Sequence, residues 1–428
     1  MVVFWYAGRQ MEGVFLEGGM RSMQRSGESG RRSLGIYLHV PFCVRKCLYC
    51  DFLSAPGDDE MKTEYVEALM REIRGQASLY GGHEVRTVFF GGGTPSLLSG
   101  EQIGVIMECL REEFSFGGDG VEVTMEVNPG TVTRESLSGY RLAGVNRLSM
   151  GLQSADDREL KALGRIHTWE DFLCSYEMAR KEGFGNINVD LMSALPGQSP
   201  EGWAETLEKV IRLKPEHISA YSLIIEEGTP FFEYYGKSGD GAEAGRLPLP
   251  TEDEDRVMYG RTKEILGKAG YGRYEISNYA LPGFACRHNV SYWERTDYAG
   301  FGVGAASLLG NVRWSNTADM GRYLEFSGER GMETRLKLSV QKLSVQEQME
   351  EFMFLGLRMT DGVSARRFYE EFGESLENIY AAAIDKLVKE GLLVRVEKGA
   401  DGREDTWFRL TDFGIDVSNY ALSEFLFD

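Results

Sequence analysis

Cysteine and histidine are scarce in this chain of 428 residues, with six of the first and five of the second. Six cysteines cannot staple a chain of this length, which excludes a disulfide-built secreted scaffold. Long hydrophobic runs are missing as well. The apolar opening Val2 to Ala7 breaks into glycine and polar residues, far short of a signal core or of the roughly 18 residues that cross a bilayer. Basic residues fall well below acidic ones, 47 Lys and Arg against 66 Asp and Glu, for a formal net charge of −19. Such a field repels phosphate backbones and anionic lipid unless a local basic patch overrides it, so nucleic acid is not an expected partner. These absences leave a cytoplasmic protein in a reducing compartment, its clustered cysteines serving a metal.

What is present is an ordinary globular composition, 42% hydrophobic and 26% charged, in a length that suits one large domain and an appendage. Apolar, β-rich runs at Ile36–Phe42, Val85–Phe90, Val121–Val127, Arg147–Leu152, Ile187–Leu195 and His217–Ile225 alternate with helical stretches such as Met61–Tyr80 and Gln102–Phe114. This alternation implies parallel strands with right-handed crossovers, and six units over about 190 residues fit a partial (β/α)6 barrel better than eightfold closure. The expected domains are a flexible extension at 1–33, the partial barrel at 34–245, a segment capping its open side at 246–331, and a small helical, winged-helix-like domain at 332–428. In the last, helical runs Ala365–Phe372 and Leu376–Glu390 precede a hairpin around Gly399–Gly402 and a final helix Thr411–Phe427. The pentapeptide KLSVQ occurs at 337–341 and again at 342–346, a local duplication and not a repeat architecture.

Chemistry concentrates at the predicted strand ends. Cys43, Cys47 and Cys50 form C-x3-C-x2-C, three soft ligands within eight residues. A four-iron cluster on three cysteines keeps one iron open to an exogenous ligand. A structural zinc needs a fourth ligand, for which His39 is at hand, although its place inside a strand points it away from the loop. The next strand ends in FFGGGTP, where Gly92 and Gly93 give either a tight turn or a backbone that can approach a ligand. Glu126 in EVNPG, Gln153 in GLQS and Arg165 in LGRIH each read as a ligand contact or as an ordinary solvated side chain. Asp190 interrupts an apolar strand and so requires a partner. Gly300–Ser307 is expected to let backbone approach a cofactor chamber. Cys109 and Cys174 read as core residues of helices, and Cys286 as either a second soft ligand or a mere neighbour of His288.

The run CVRKCLYC, with Tyr49 before its last cysteine, resembles the radical S-adenosylmethionine (SAM) superfamily. The wider set YLHVPFC, CDF, GGGTPS, EVNP, GLQS, GRIH, DLMSALPGQ, HNVSYW and LTDFGIDVSN is similar to the oxygen-independent coproporphyrinogen oxidase group over roughly residues 34–428. The resemblance implies a [4Fe-4S] cluster on the three cysteines, SAM on its open iron, and a pocket lined by Tyr37, Tyr49, Gly92, Gly93, Thr94, Glu126, Gln153, Arg165 and Asp190. Decarboxylating members of the group carry a fourth cysteine two places after the third, where this chain has Phe52. Phe52 and HNVSYW are instead similar to the group's heme-chaperone branch, which binds heme and passes it to heme-dependent proteins. Implied partners are heme, heme-accepting proteins, an electron donor for the cluster and, peripherally, respiratory membrane proteins. Within HNVSYW the imidazole of His288 suits a heme iron and Asn289, Tyr292 and Trp293 a porphyrin face, whereas spacing alone reads as a loop histidine beside core aromatics. The alternatives are an enzyme decarboxylating coproporphyrinogen III and a zinc-stabilised interaction protein.

Overall fold

The computed structural model describes residues 30–236, 246–327, 335–400 and 403–427. Most of the expected extension and the acidic stretch 237–245 lie outside the described residues, while Arg32 and Ser33, expected in the extension, open the first strand. Strands β1 (Arg32–Val40), β2 (His83–Gly92), β3 (Glu122–Val127), β4 (Arg147–Gln153), β5 (Ile187–Ser193) and β6 (His217–Ser222) pair in chain order and in parallel. Between them run α1 (Asp59–Gln76), α2 (Gly100–Glu113), α3 (Arg134–Ala143), α4 (Asp157–Ala162), α5 (Trp169–Lys181) and α6 (Pro200–Ile211). The two-residue period of a strand sorts the faces. Leu34, Ile36, Leu38 and Val40 of β1 are sealed in one core with Tyr65, Leu69 and Ile73 of α1, and Gly35, Tyr37 and His39 point the other way. Reciprocal capping boxes at Ser99, Thr133 and Thr168 start α2, α3 and α5, each contributing about 1 kcal/mol and fixing where the preceding loop ends.

The segment expected to cap the barrel does something else. After α7 (Glu252–Lys268), strands β7 (Gly272–Arg273) and β8 (Asn278–Ala280) add antiparallel to the β6 edge. The chain then returns to the far edge. There β9 (Tyr298–Phe301) pairs parallel with β1, a seventh parallel strand where six were expected. Antiparallel β10 (Ala306–Leu309), β11 (Val312–Asn316) and β12 (Lys337–Lys342) follow.

Between the two edges, α8 (Arg287–Trp293) closes the end of the barrel at which the strands begin. Its His288 bonds Thr87 of β2, its first backbone N–H groups bond Glu122 of β3, and Cys286 at its start bonds Tyr274, which bonds His217 of β6. In a flat sheet β2 and β6 would stand about 19 Å apart at ~4.8 Å per strand. A helix of this length is only about 10 Å long, so the sheet must curve to bring both strands to it.

One buried carboxylate fastens the β9 side. Glu72 of α1 accepts from the Gly302 N–H (2.8 Å), Asn316 Nδ2 (2.6 Å), Gln76 Nε2 (3.0 Å) and the hydroxyl of Tyr323 (2.6 Å) on α9 (Met320–Phe326). At Gly302, with φ of +104°, a Cβ would lie 2.5 Å from the Tyr65 hydroxyl and 2.8 Å from the His39 carbonyl oxygen. Gly302 thus lets the turn after β9 pass close to β1 and α1.

A second core gathers α10 (Val345–Gly356), α11 (Ala365–Phe372), α12 (Leu376–Ile379), α13 (Ala381–Lys389) and the antiparallel sheet of β13 (Val363–Ser364), β14 (Leu393–Ala400) and β15 (Arg403–Leu410), with Phe352, Phe368, Tyr380 and Phe425 inside. The single final helix expected is two, α14 (Asp412–Asp416) and α15 (Ser418–Ser423), broken at Val417. Among the described residues no helix is long and apolar enough to cross a membrane.

Candidate cofactor site

The cysteine loop leaves β1 at its C-terminal end, the end at which parallel barrels assemble their chemistry. Backbone bonds between Cys43 and Ala55 (3.1 Å) and between Ala55 and Pro41 (2.9 Å) pin its neck, and Leu48 bonds Leu163 (3.1 Å) and Phe231 (3.0 Å) at its tip. Cys43 Sγ lies 3.5 Å from Thr94 Oγ1, and Cys47 Sγ 3.6 Å from Arg165 Nη1. Burial, reinforced by the sulfurs of Cys47 and Cys43, pushes the Cys50 thiol up to about 11. Ionising these thiols beside one another is costly without a cation, which a metal centre supplies. They do not converge on one point: among the described residues no three His, Cys, Asp or Glu side chains surround a single-ion site. His39, the fourth zinc candidate, has both ring nitrogens engaged, Nδ1 with the Tyr37 hydroxyl at 3.1 Å and Nε2 with the Leu53 carbonyl at 2.8 Å.

The glycine run wraps beside the loop. Gly93 N–H donates to the Val40 carbonyl (2.8 Å), and a Cβ there would lie 2.6 Å from the Phe42 carbonyl oxygen. Gly92 N–H donates to Glu126 Oε2 (3.1 Å). Burial first, then the charge of Asp190, raises the Glu126 carboxyl to about 8. Asp190 is itself raised by burial and accepts from the Ser149 hydroxyl (3.0 Å) and Asn188 Nδ2 (2.8 Å), so its partners are neutral donors. Gln153 holds a left-handed backbone, φ +72°, where β4 and β5 slip register. Such strain in a non-glycine residue costs roughly 1–3 kcal/mol and survives only where surroundings enforce it. Here Gln153 Oε1 accepts from the Tyr221 hydroxyl at 3.1 Å. Tyr49 lies half-buried among Arg165, Cys47, Cys50 and Asp190, and Tyr37, also half-buried, beside Glu126.

All nine residues expected to line the pocket therefore meet at one end of the sheet. Sequence reading missed Asn128, the tie between them: its Nδ2 donates to Thr94 Oγ1 (2.7 Å) and its Oδ1 accepts from Arg165 Nη2 (2.8 Å). Arg165 Nη2 also reaches the Gly151 carbonyl (2.6 Å), while its buried Nε has no protein partner. The only signal for Asn128 was its place in EVNPG, two residues beyond Glu126.

HNVSYW lies at the opposite end of the strands. His288 is buried, stacked on Phe89 with ring centroids 5.0 Å apart, and Phe89 in turn stacks on Tyr37 at 6.3 Å. Its Nδ1 bonds Thr87 Oγ1 (2.8 Å) and its Nε2 the Tyr292 hydroxyl (3.1 Å). Burial, helped by the nearby Arg147 cation, lowers the imidazole to about 3 and keeps it neutral. Tyr292 packs edge-on against Tyr298, Trp293 lies under the Arg358 guanidinium at 4.4 Å, and Asn289, next to His288, is half-buried. In this arrangement the four expected heme contacts form the barrel floor, and His288 turns no free nitrogen outward. Of the remaining cysteines, Cys109 is buried as expected and Cys174 is exposed, against the core reading; Cys286 bonds Glu122 and is a neighbour.

Residues 37–210 match the Radical SAM superfamily and residues 343–400 the HemN C-terminal domain. This defines the class, a radical SAM protein whose family implies a [4Fe-4S] cluster and SAM, and the sulfur donors and glycine cradle described above fit both. The chain is 37% identical over 357 residues to heme chaperone HemW of Bacillus subtilis, covering 83% of this chain and 92% of that protein. To HemW of Escherichia coli it is 34% identical over 399 residues, 92% of this chain and 98% of the other. Coproporphyrinogen III oxidase (HemN) from Escherichia coli shares the fold, with a TM-score of 0.75 at 24% identity over 92% of this chain and 90% of that one. The chain belongs to the HemW family.

Proposed function

We propose that the chain is a cytoplasmic heme chaperone, binding heme and handing it to heme-dependent proteins. Membership of the HemW family across nearly the whole length of its curated relatives carries this reading. Cys43, Cys47 and Cys50 hold the cluster in this proposal, and Tyr37, Tyr49, Gly92, Gly93, Thr94, Glu126, Gln153, Arg165 and Asp190 bind SAM. A cluster held by the three cysteines would supply one-electron chemistry to a SAM bound beside it. Arg165, held rigid by Asn128 and the Gly151 carbonyl, offers its unpaired Nε and its charge to a carboxylate beside Cys47. Glu126 accepts from a ribose diol once its proton leaves.

Heme contact falls to His288, Asn289, Tyr292 and Trp293 in a state where Tyr292 has swung away from Nε2. Nδ1 stays on Thr87, the kind of outer partner that fixes the tautomer of a ligating histidine. An electron donor, heme-accepting proteins and peripheral contact with respiratory membrane proteins complete the reading. Phe52, 37% exposed where decarboxylating members of the group carry a cysteine, favours chaperone over decarboxylase. The test is an anaerobic heme titration of cluster-loaded protein followed by mixing with an apo-acceptor. Saturation near one heme per chain and transfer to the acceptor are expected; a flat titration, with decarboxylation of coproporphyrinogen III, would replace this reading with the enzyme.

A further inference from the structure

Arg147 opens β4, and the alternation of that strand fixes where it points. Leu148, Met150 and Leu152 belong to the core beneath the helices, so Arg147 projects from the opposite face, into the barrel interior. There it is 2% exposed. Its charge reaches Glu122, Asp190, the Cys286 thiol and the Tyr274 hydroxyl, and it helps hold the imidazoles of His217 and His288 neutral. Among the described residues neither these nor any other group takes a hydrogen bond or an ion pair from the guanidinium, and its Nε is buried without a partner. The two carboxylates are spent elsewhere. Glu122 accepts from the backbone N–H groups of Arg287 (3.1 Å) and His288 (3.0 Å), and Asp190 from Ser149 and Asn188.

Thr124 stands directly across from Arg147 in the parallel pairing of β3 with β4. It faces the same interior, because Val123, Met125 and Val127 fill the outer core, and its buried Oγ1 has no partner either. A guanidinium and a hydroxyl thus lie side by side on neighbouring strands with no acceptor. A buried cation without an anion is strongly disfavoured, and the guanidinium fork matches a carboxylate with two parallel bonds. One positive charge balances a monoanion, whereas a phosphate dianion near Glu122 and Asp190 would leave negative charge buried and uncompensated. We infer that Arg147 and Thr124 form an anchor inside the barrel for the carboxylate of a ligand that enters from the cysteine-loop end, since α8 closes the other. Arg147 lies four residues before Gly151, whose carbonyl holds Arg165, about 13 Å along the strand. The anchor is therefore a second carboxylate position, and it rests on neither the heme reading nor the SAM reading.

The test is anaerobic calorimetric titration of the full, cluster-loaded chain with acetate and, separately, inorganic phosphate, at constant ionic strength. Acetate should saturate and bind more tightly than phosphate. Thr124→Val should weaken acetate about two- to tenfold, the worth of one hydrogen bond, Arg147→Lys at least about tenfold through loss of the fork, and Arg147→Met should abolish saturation. The Thr124 hydroxyl bonds nothing, so its variant keeps the fold if an Arg147 variant does not. As a second readout, acetate should raise the urea midpoint of wild type and leave that of Arg147→Met unmoved. No saturation by acetate, a preference for phosphate, or wild-type acetate affinity in both Thr124→Val and Arg147→Lys would overturn the assignment. So would equal destabilisation of Arg147→Met with and without acetate, which would make Arg147 a structural counter-charge.

Discussion

Replacing Glu72 by glutamine tests whether the β9 side of the sheet is held by a carboxylate that is costly to ionise. Burial pushes this carboxyl from 4.5 to about 7, and the bonds from Tyr323, Gly302 and Asn316 offset only part of the cost. The folded carboxyl holds its proton more tightly than the unfolded one, so the folded state binds more protons between those two values and stability falls as pH rises through that window. At 1.36 kcal/mol per unit the full loss is about 3.4 kcal/mol, of which about 2.5 kcal/mol falls between pH 5 and pH 8. Glutamine does not titrate. It also reverses one hydrogen-bond polarity among the four donors, a cost that is the same at every pH. The measurement is therefore a double difference: anaerobic urea unfolding of wild type and Glu72→Gln at pH 5 and pH 8. The stability of wild type relative to the variant should drop by about 2.5 kcal/mol between the two. An identical difference at both pH values would refute the argument that Glu72 folds as a reluctant carboxylate.

Three further outcomes are expected. Tyr292→Phe removes the hydroxyl that occupies His288 Nε2, so heme affinity by Soret titration should rise about two- to tenfold, the worth of a net hydrogen bond of ~0.5–1.5 kcal/mol; His288→Ala should weaken heme binding with cluster content unchanged, and equal affinity in all three proteins would remove His288 from the heme site. Gly93→Ala places a methyl 2.6 Å from the Phe42 carbonyl oxygen and 3.0 Å from that of Val40, rigid backbone that cannot yield, and should cost about 1–3 kcal/mol and lower iron retention on reconstitution; full iron content at wild-type stability would show that the strand end can relax. Because the Glu126 carboxyl is raised to about 8 and a bound diol favours its ionised form, SAM affinity should climb by at most about tenfold per pH unit from pH 6 to pH 8 with release of a proton, measurable by calorimetry in buffers of different ionisation enthalpy. A pH-independent affinity, or the same slope in Glu126→Gln, would separate Glu126 from SAM.

Period and punctuation carried a large part of the fold. The six parallel strands stood out as apolar runs because both their faces are covered, whereas the caps at Ser99, Thr133 and Thr168 that start α2, α3 and α5 emerged only with the structure. That the motifs following the strands lie near one another was legible because a parallel barrel sends every strand end to the same side, while the assignment of those residues to a cofactor rested on the family resemblance. Asn128 was not legible, since a single asparagine before a proline carries no pattern, and its bonds to Thr94 and Arg165 join residues 34 and 37 positions away.

KLSVQ shows where local sequence stops. Its first copy, Lys337–Gln341, forms an edge strand because β11 lies beside it to accept its backbone bonds, whereas in the second copy Ser344 caps α10 and Val345 and Gln346 begin a helix. The same five residues take two structures because neither is strongly preferred and the neighbour decides. HNVSYW obeys the same rule. Its residues announce an imidazole among aromatics, which the sequence alone determines, but curvature of the sheet places α8 across the barrel's starting end, seals His288 between Thr87 and Tyr292, and puts it opposite the cysteines. Ligand chemistry is a property of residue types and short spacings; whether a ligand can be reached depends on which strands the fold curls together, and that only the tertiary structure decides.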